Sequence, residues 1–271
     1  STFSHIDLFN NPLITIDNGF FILHDNHFRH ITFKDTVLIE SLFTPIKLPD
    51  KTAFYINTGM LKELALTKDS IFWNITQYID RDIYKILQAK DVKAYFSMSG
   101  NHFTTLQAIN SKLVSLEGFG KTEGFVMINH NIFSNFLFQS KTAFPLVTFD
   151  SLQTLLVQNN TFNHLLGNIT IFSCIHMDQG NVARMSENTL FNSSLAALLV
   201  LEGSLLRRLE FKSNTIHLSD FSFGAVSINI EKAADPWFIG GNSITNTFLY
   251  PDPLLFQAER YAMVSLSVKN F

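Results

Sequence analysis

The triplet Asn-x-[Phe/Leu/Ile] recurs along the chain at Asn26-His27-Phe28, Asn101-His102-Phe103, Asn131-Ile132-Phe133, Asn160-Thr161-Phe162, Asn188-Thr189-Leu190, Asn214-Thr215-Ile216 and Asn242-Ser243-Ile244. From Asn101 onward the asparagines are 30, 29, 28, 26 and 28 residues apart. A step held that closely marks an internal repeat, and periods of roughly 20–50 residues belong to solenoids, propellers and arrays. The neighbours keep the same register. Three places before each Asn stand Leu23, Met98, Ile128, Val157, Met185, Phe211 and Ile239. Five before stand Phe21, Phe96, Val126, Leu155, Ala183, Leu209 and Trp237. With the residue two after each Asn, that makes 21 apolar positions out of 21, in a chain that is 46% hydrophobic.

The interleaved place two before each Asn holds His24, Ser99, Asn129, Gln158, Ser186, Lys212 and Gly240, none of them apolar. Alternation at period two predicts strands with one face buried and the other wet. Further strands are expected at Lys112–Glu117, Pro145–Asp150, Ile169–His176, Leu198–Glu202, Ala225–Glu231 and Leu254–Glu259. About 28 residues holding at least two short strands and their turns fit one turn of a coil, with like positions stacked about 4.8 Å apart on successive turns. Asparagine suits such a corner on two counts. It tolerates left-handed backbone angles, and its amide can donate to and accept from the amides above and below, satisfying polar groups that are costly to bury unpaired. The Phe two residues on is expected to fill the core just inside the corner. Asp69, with Leu64, Leu66 and Ile71, fits the register as an eighth member carrying Asp for Asn.

On these triplets and apolar columns, over about residues 10–30 and 50–271, the chain resembles the right-handed parallel β-helix of the pectate-lyase-like superfamily, whose coils carry an asparagine ladder at one corner. The resemblance implies an all-β, right-handed parallel β-helix (a solenoid) of seven to nine coils of roughly 28 residues. A single such domain is expected over residues 1–271. The step breaks near residues 31–50, where Pro45 and Pro49 point to an insertion or irregular coil, and Gln77–Lys90 suits a short helix.

Composition narrows the possible roles. Twenty Lys+Arg against 23 Asp+Glu give a net charge of −3, which argues against nucleic acid or an anionic membrane as partner. A 16% charged, 46% hydrophobic chain of this length buries a core. Phe at 28 and Asn at 23 are in excess, as codon bias in an AT-rich genome would also produce, but bias cannot place them in register. The lone Cys174 excludes an intrachain disulfide and a thiolate metal cluster, and reads as a small buried thiol. No apolar run reaches the 18 residues of a transmembrane helix.

Enzymes of the resembled superfamily act on polysaccharides, so their motifs are the ones to seek. The galacturonase set is an Asn-Thr-Asp, a paired Asp-Asp and a Gly-His-Gly. This chain has neither of the last two, and only Asn57-Thr58-Gly59 in place of the first. No calcium-binding aspartates accompanied by an Arg base match the lyase pattern, and no carboxylate pair stands out for glycoside hydrolysis. Catalytic residues, cofactors and metals are therefore expected to be none. Weaker metal candidates are an acidic column at the strand ends, Glu117, Asp150, Glu202, Glu231 and Glu259 with His176 among them, which could hold a hard cation or simply be a solvated edge. The spacing of His24, His27 and His30 would suit a helix, whereas the register puts them on strand and corner. The sequons Asn74, Asn159, Asn168 and Asn192 are glycosylation candidates, though four is about what chance predicts from 23 Asn.

A solenoid exposes strand edges at its ends unless they are capped. The chain opens with Ser1 and its repeat is already under way, while Met263–Phe271 repeats the rhythm and puts Phe271 at the ladder position. The expectation is a segment of a longer protein or of an end-stacked assembly. Its partners would then be other copies or neighbouring chains met through the ends, with glycans as a further option. The reading is a non-catalytic structural or cell-surface β-helical rod that forms filaments or part of a larger extracellular assembly, extracellular by the superfamily's habit. A carbohydrate-binding or polysaccharide-degrading β-helix is the alternative.

Overall fold

The computed structural model describes residues 1–17, 20–42, 94–117, 124–140, 144–149, 154–174, 177, 180–249 and 264–270, and every regular element among them is a β-strand. The strands pair in parallel from turn to turn as a β-solenoid of about six turns of about 28 residues, fewer than the seven to nine expected. Each turn contributes three ranks of strands. Face one holds Phe20–His24, Ala94–Ser99, Gly124–Asn129, Thr154–Gln158, Gly180–Ser186, the second half of Ala197–Lys212, and Phe238–Gly240. Face two follows the ladder asparagine, with Thr2–Phe9, His27–Lys34, His102–Ile109, Ile132–Gln139, Thr161–Leu166, Thr189–Phe191, Thr215–His217 and Ser243–Thr245. Face three holds Ile14–Asp17, Val37–Leu42, Lys112–Glu117, Phe144–Phe149, Ile169–Cys174, the first half of Ala197–Lys212, Val226–Ala233 and Val264–Asn270.

The ladder is built as the amide chemistry requires. Each backbone N–H from Asn26 to Asn214 donates to the Oδ1 of the next asparagine at 2.9–3.1 Å. Each Nδ2 donates to that same Oδ1 at 2.9–3.2 Å. From Asn101 on, Nδ2 also reaches back to a carbonyl of the previous turn, such as Ile128 from Asn160 at 2.8 Å. The left-handed residue is not the asparagine, as the sequence suggested, but the residue before it: Asp25 (φ 50°), Gly100 (66°), His130 (54°), Asn159 (54°), Glu187 (58°), Ser213 (55°) and Gly241 (65°). The asparagine N–H must lie along the axis to meet the next Oδ1, so its neighbour makes the turn. Six of these seven neighbours are exposed, which lets several polar side chains serve there.

Asn26 bonds directly to Asn101, and His27–Lys34 pairs with His102–Ile109, so these are successive turns. That pairing leaves no place between them for Asp69 as a ladder member, and a carboxylate lacks the donor that every member uses. Ile31–Lys34 and Val37–Leu42 are paired strand on either side of a bend at Asp35–Thr36; the rest of the irregular stretch expected near 31–50, Asp69 itself and Gln77–Lys90 lie outside the described residues. Val264–Asn270 pairs with Val226–Ala233 on face three. It does not lead into a ladder corner, which corrects the register that placed Phe271 there. The strand expected at Leu254–Glu259 also lies outside the described residues.

Hydroxyls repeat the logic at two further corners. Thr36 and Ser111, ten residues after a ladder asparagine, follow left-handed Asp35 and Asn110, while Ser193, Ser219 and Thr247, five residues after one, follow left-handed Asn192, Leu218 and Asn246. The last four donate to the carbonyl two residues back at 2.7–3.0 Å, and the Oγ of Ser111 and Ser193 accept from Thr36 N–H and Leu165 N–H of the previous turn.

The expected core filling two places past the ladder is present, as a continuous stack. Phe3, Phe28, Phe103, Phe133 and Phe162 lie ring on ring at centroid spacings of 4.7–5.1 Å and within 9° of parallel. Leu190 and Ile216 continue the column, each 1% exposed. Strand pairing alone sets this spacing, and it coincides with the distance at which aromatic rings attract.

Candidate functional site

The outer surface of face one departs most from the sequence expectation. Its alternate side chains were expected to be wet, yet Ser97 is 0% exposed, Ser99 2%, Asn129 1%, Arg184 7%, Ser186 1% and Glu210 3%. Both ranks of the middle strands are buried. Met127 and Leu156 complete the continuous apolar runs Phe125–Ile128 and Leu155–Val157, the pattern of strands covered on both sides. The signal lies in the sequence four places before the asparagines, at Met127 and Leu156, whereas the place two before holds polar residues.

Within this surface, neighbouring strands put Arg184 beside Glu210. Arg184 Nε lies 2.8 Å from one Glu210 oxygen and Nη2 donates to the other at 3.2 Å. Arg208 Nη2 contacts Oε1 as well, and Lys212 Nζ stands 3.8 Å from Oε2. Three cations therefore surround one buried carboxylate. Burying Glu210 is tolerable only because both oxygens are paired. Among the described residues the groups paired with Glu210 are these three cations, so the cluster holds charge and position.

The remaining candidates are dispersed. Glu202 pairs with Asn229 across face three, and Gly203 with Ile230, so Glu231 stands two residues out of line with Glu202. The acidic column is broken there by register; the side chains of Glu117, Asp150, His176 and Glu259 lie outside the described residues. His24, His27 and His30 do not converge. His24 Nε2 meets Asp25 at 3.0 Å, His27 packs against His102 at 4.8 Å, and His30 stacks on His5 at 5.0 Å. Face-two strands turn left-handed at His5, His30, Thr105, Asn135 and His164, which puts His30 outside. Among the described residues no group of three His, Cys, Asp or Glu can hold a metal ion. Cys174 is fully buried. Asn159 and Asn192 are exposed on left-handed corners; Asn168 has a buried Oδ1 without a partner, and Asn74 lies outside the described residues.

Among the described residues one titration is shifted. Partial burial holds the His130 imidazole below its ordinary range, against the pull of Glu187, which favours its protonated form. A base whose folded pKa is depressed contributes stability above its unfolded value of about 6.5, and that stability is lost as pH falls through the folded pKa. The urea midpoint is therefore expected to drop between pH 7 and 5. His130→Asn, which tolerates the left-handed angle, is expected to flatten part of that slope; equal slopes for the two proteins would remove His130 as a contributor.

Comparison with known proteins finds no matching family model, no matching curated protein and no matching solved structure.

Proposed function

We propose that this chain is a non-catalytic structural element of a rigid β-helical rod, extracellular or at the cell surface, joined to other protein chains through its ends. The observation that carries the reading is the unbroken ladder from Asn26 to Asn242, whose corner polar groups are committed to coil-to-coil bonds. The one buried charge cluster found on the described strands is likewise paired internally. At about 4.8 Å per turn, six steps rise only about 29 Å. Among the described residues, Asn159 and Asn192 are the exposed acceptors for glycan in a secreted protein.

The test is incubation of the purified chain with a broad polysaccharide panel, reading both reducing-end release and retention, beside negative-stain imaging. The expected result is no turnover, no retention and particles of constant width. Cleavage or retention that is lost on Glu210→Gln would overturn the reading in favour of a carbohydrate-active protein.

A further inference from the structure

Two histidines far apart in the chain meet on the outer surface of face two. His27 and His102 each follow a ladder asparagine, and the parallel pairing of their strands sets them opposite one another. The scaffold beneath them is fixed on both sides. Asn26 N–H donates to Asn101 Oδ1 at 3.0 Å and His102 N–H donates to Asn26 O at 2.8 Å. One residue further on, Phe28 and Phe103 stack at 4.7 Å. The backbone that carries both imidazoles is thus ordered before any ligand arrives, and binding costs little further chain entropy. His27 is exposed and His102 half-buried, so the pair is open to solvent.

Other histidines have their ring nitrogens engaged. His24 Nδ1 bonds Ser99 O at 3.1 Å and its Nε2 meets Asp25 at 3.0 Å. His164 bonds Asn192 at 3.3 Å and His217 bonds Thr245 at 2.8 Å. Among the described residues no hydrogen bond engages the ring nitrogens of His27 or His102, whose rings meet each other instead. Neutral imidazole is the commonest protein ligand for divalent transition metals and suits Cu²⁺, Ni²⁺ and Zn²⁺. With a metal–nitrogen bond of about 2.0 Å, an ion stands about 3.2 Å from the centre of each imidazole that binds it. Ring centres 4.8 Å apart then subtend about 97° at a shared ion, between the square-planar and tetrahedral angles. The two rings are tilted by 46°, so rotation about the soft χ2 torsion can aim a nitrogen of each at one ion without breaking a stack. His5 and His30 stand 5.0 Å apart but within 18° of parallel, and that pair must give up its stack to do the same.

We propose that His27 and His102 form a surface chelate for a divalent transition metal, Cu²⁺ most tightly, with water completing the coordination. Cu²⁺ leads because it stands at the top of the affinity order for nitrogen donors. The site needs two protein ligands only, and it stands independently of the rod reading.

The test is titration of the purified, untagged chain with CuCl₂, read by calorimetry and by electron paramagnetic resonance. The expected result is a first bound ion whose spectrum shows two nitrogen donors, with Ni²⁺ and Zn²⁺ held more weakly. His27→Thr and His102→Thr are each expected to weaken that ion at least about tenfold. Threonine already occupies this column at Thr161, Thr189 and Thr215, so the strands tolerate it. Either substitution removes the chelate, so the double variant is expected to lose no more than a single one. His30→Asn, which copies the left-handed Asn135 of a later turn, is expected to leave the first ion unchanged. The two rings meet only in the folded chain, so Cu²⁺ is expected to raise the urea midpoint of the unaltered protein and of His30→Asn, and not of the other two. A single-nitrogen spectrum, losses that simply add, or a first ion lost in His30→Asn would overturn the proposal and leave an adventitious ion only. The polysaccharide test of the rod reading comes out the same whichever of these results is found.

Discussion

Asn160→Ala is expected to cost about 3–5 kcal/mol of unfolding free energy, read from urea denaturation with an unchanged slope. The side chain accepts from Asn131 N–H at 3.0 Å and from Asn131 Nδ2 at 3.0 Å. It donates to Ile128 O, Gln158 O and Asn188 Oδ1. Truncation therefore strands the N–H of Asn131, a residue that is 0% exposed, and an orphaned buried donor costs about 1–3 kcal/mol before the other bonds are counted. Asn160→Asp is expected to recover none of this, because a carboxylate keeps the acceptor, loses both donors and buries a charge. Asn242→Ala is expected to cost about 1–2 kcal/mol, since Asn242 is half-buried at the open end and water can reach the groups it leaves. Equal losses at the two positions would contradict a ladder in which burial sets the cost.

Phe133→Ala is expected to cost about 3–5 kcal/mol, and Phe133→Leu about 1–2 kcal/mol. Phe133 is fully buried, with Phe103 and Phe162 parallel at 5.1 and 4.9 Å and Phe136 edge-on at 6.2 Å. Truncation leaves a cavity between two rings that strand pairing prevents from closing up, so the lining collapses little. Phe3→Ala, at the half-buried end of the same stack, is expected to cost much less, about 1 kcal/mol. Thermal unfolding of the three variants checks the order, and a Phe3 effect as large as that of Phe133 would show that the stack is not graded by burial.

These effects follow from features that were legible to different degrees. The asparagine register and its three apolar columns were readable because each turn uses the same place for the same task. A fixed step then survives changes elsewhere in the turn. The hydroxyl corners were harder to read: Thr36 and Ser111 stand ten residues after a ladder asparagine but Ser193, Ser219 and Thr247 five, and serine and threonine are common everywhere. The turn from Asn26 to Asn101 was misjudged for a related reason. A chance match at Asp69 filled a gap that the strands bridge directly. Arg184 and Glu210 stand in separate repeats, and only the pairing of their strands across face one joins them.

By itself the sequence determined that this chain coils, with a repeat of about 28 residues, an amide at one corner and apolar side chains just inside it. Periodic burial and periodic hydrogen bonding leave a periodic trace, and that trace needs no coordinates to find. The tertiary structure alone decided that the left-handed turn falls one residue before the asparagine. It also decided that Ser97, Ser99, Asn129, Arg184, Ser186 and Glu210 on the outer side of face one are buried, and that Ile239 and Ile244 are partly exposed. Each of these depends on what lies across from a residue rather than beside it in the chain, and a neighbour across a turn can be 26 or 75 residues away.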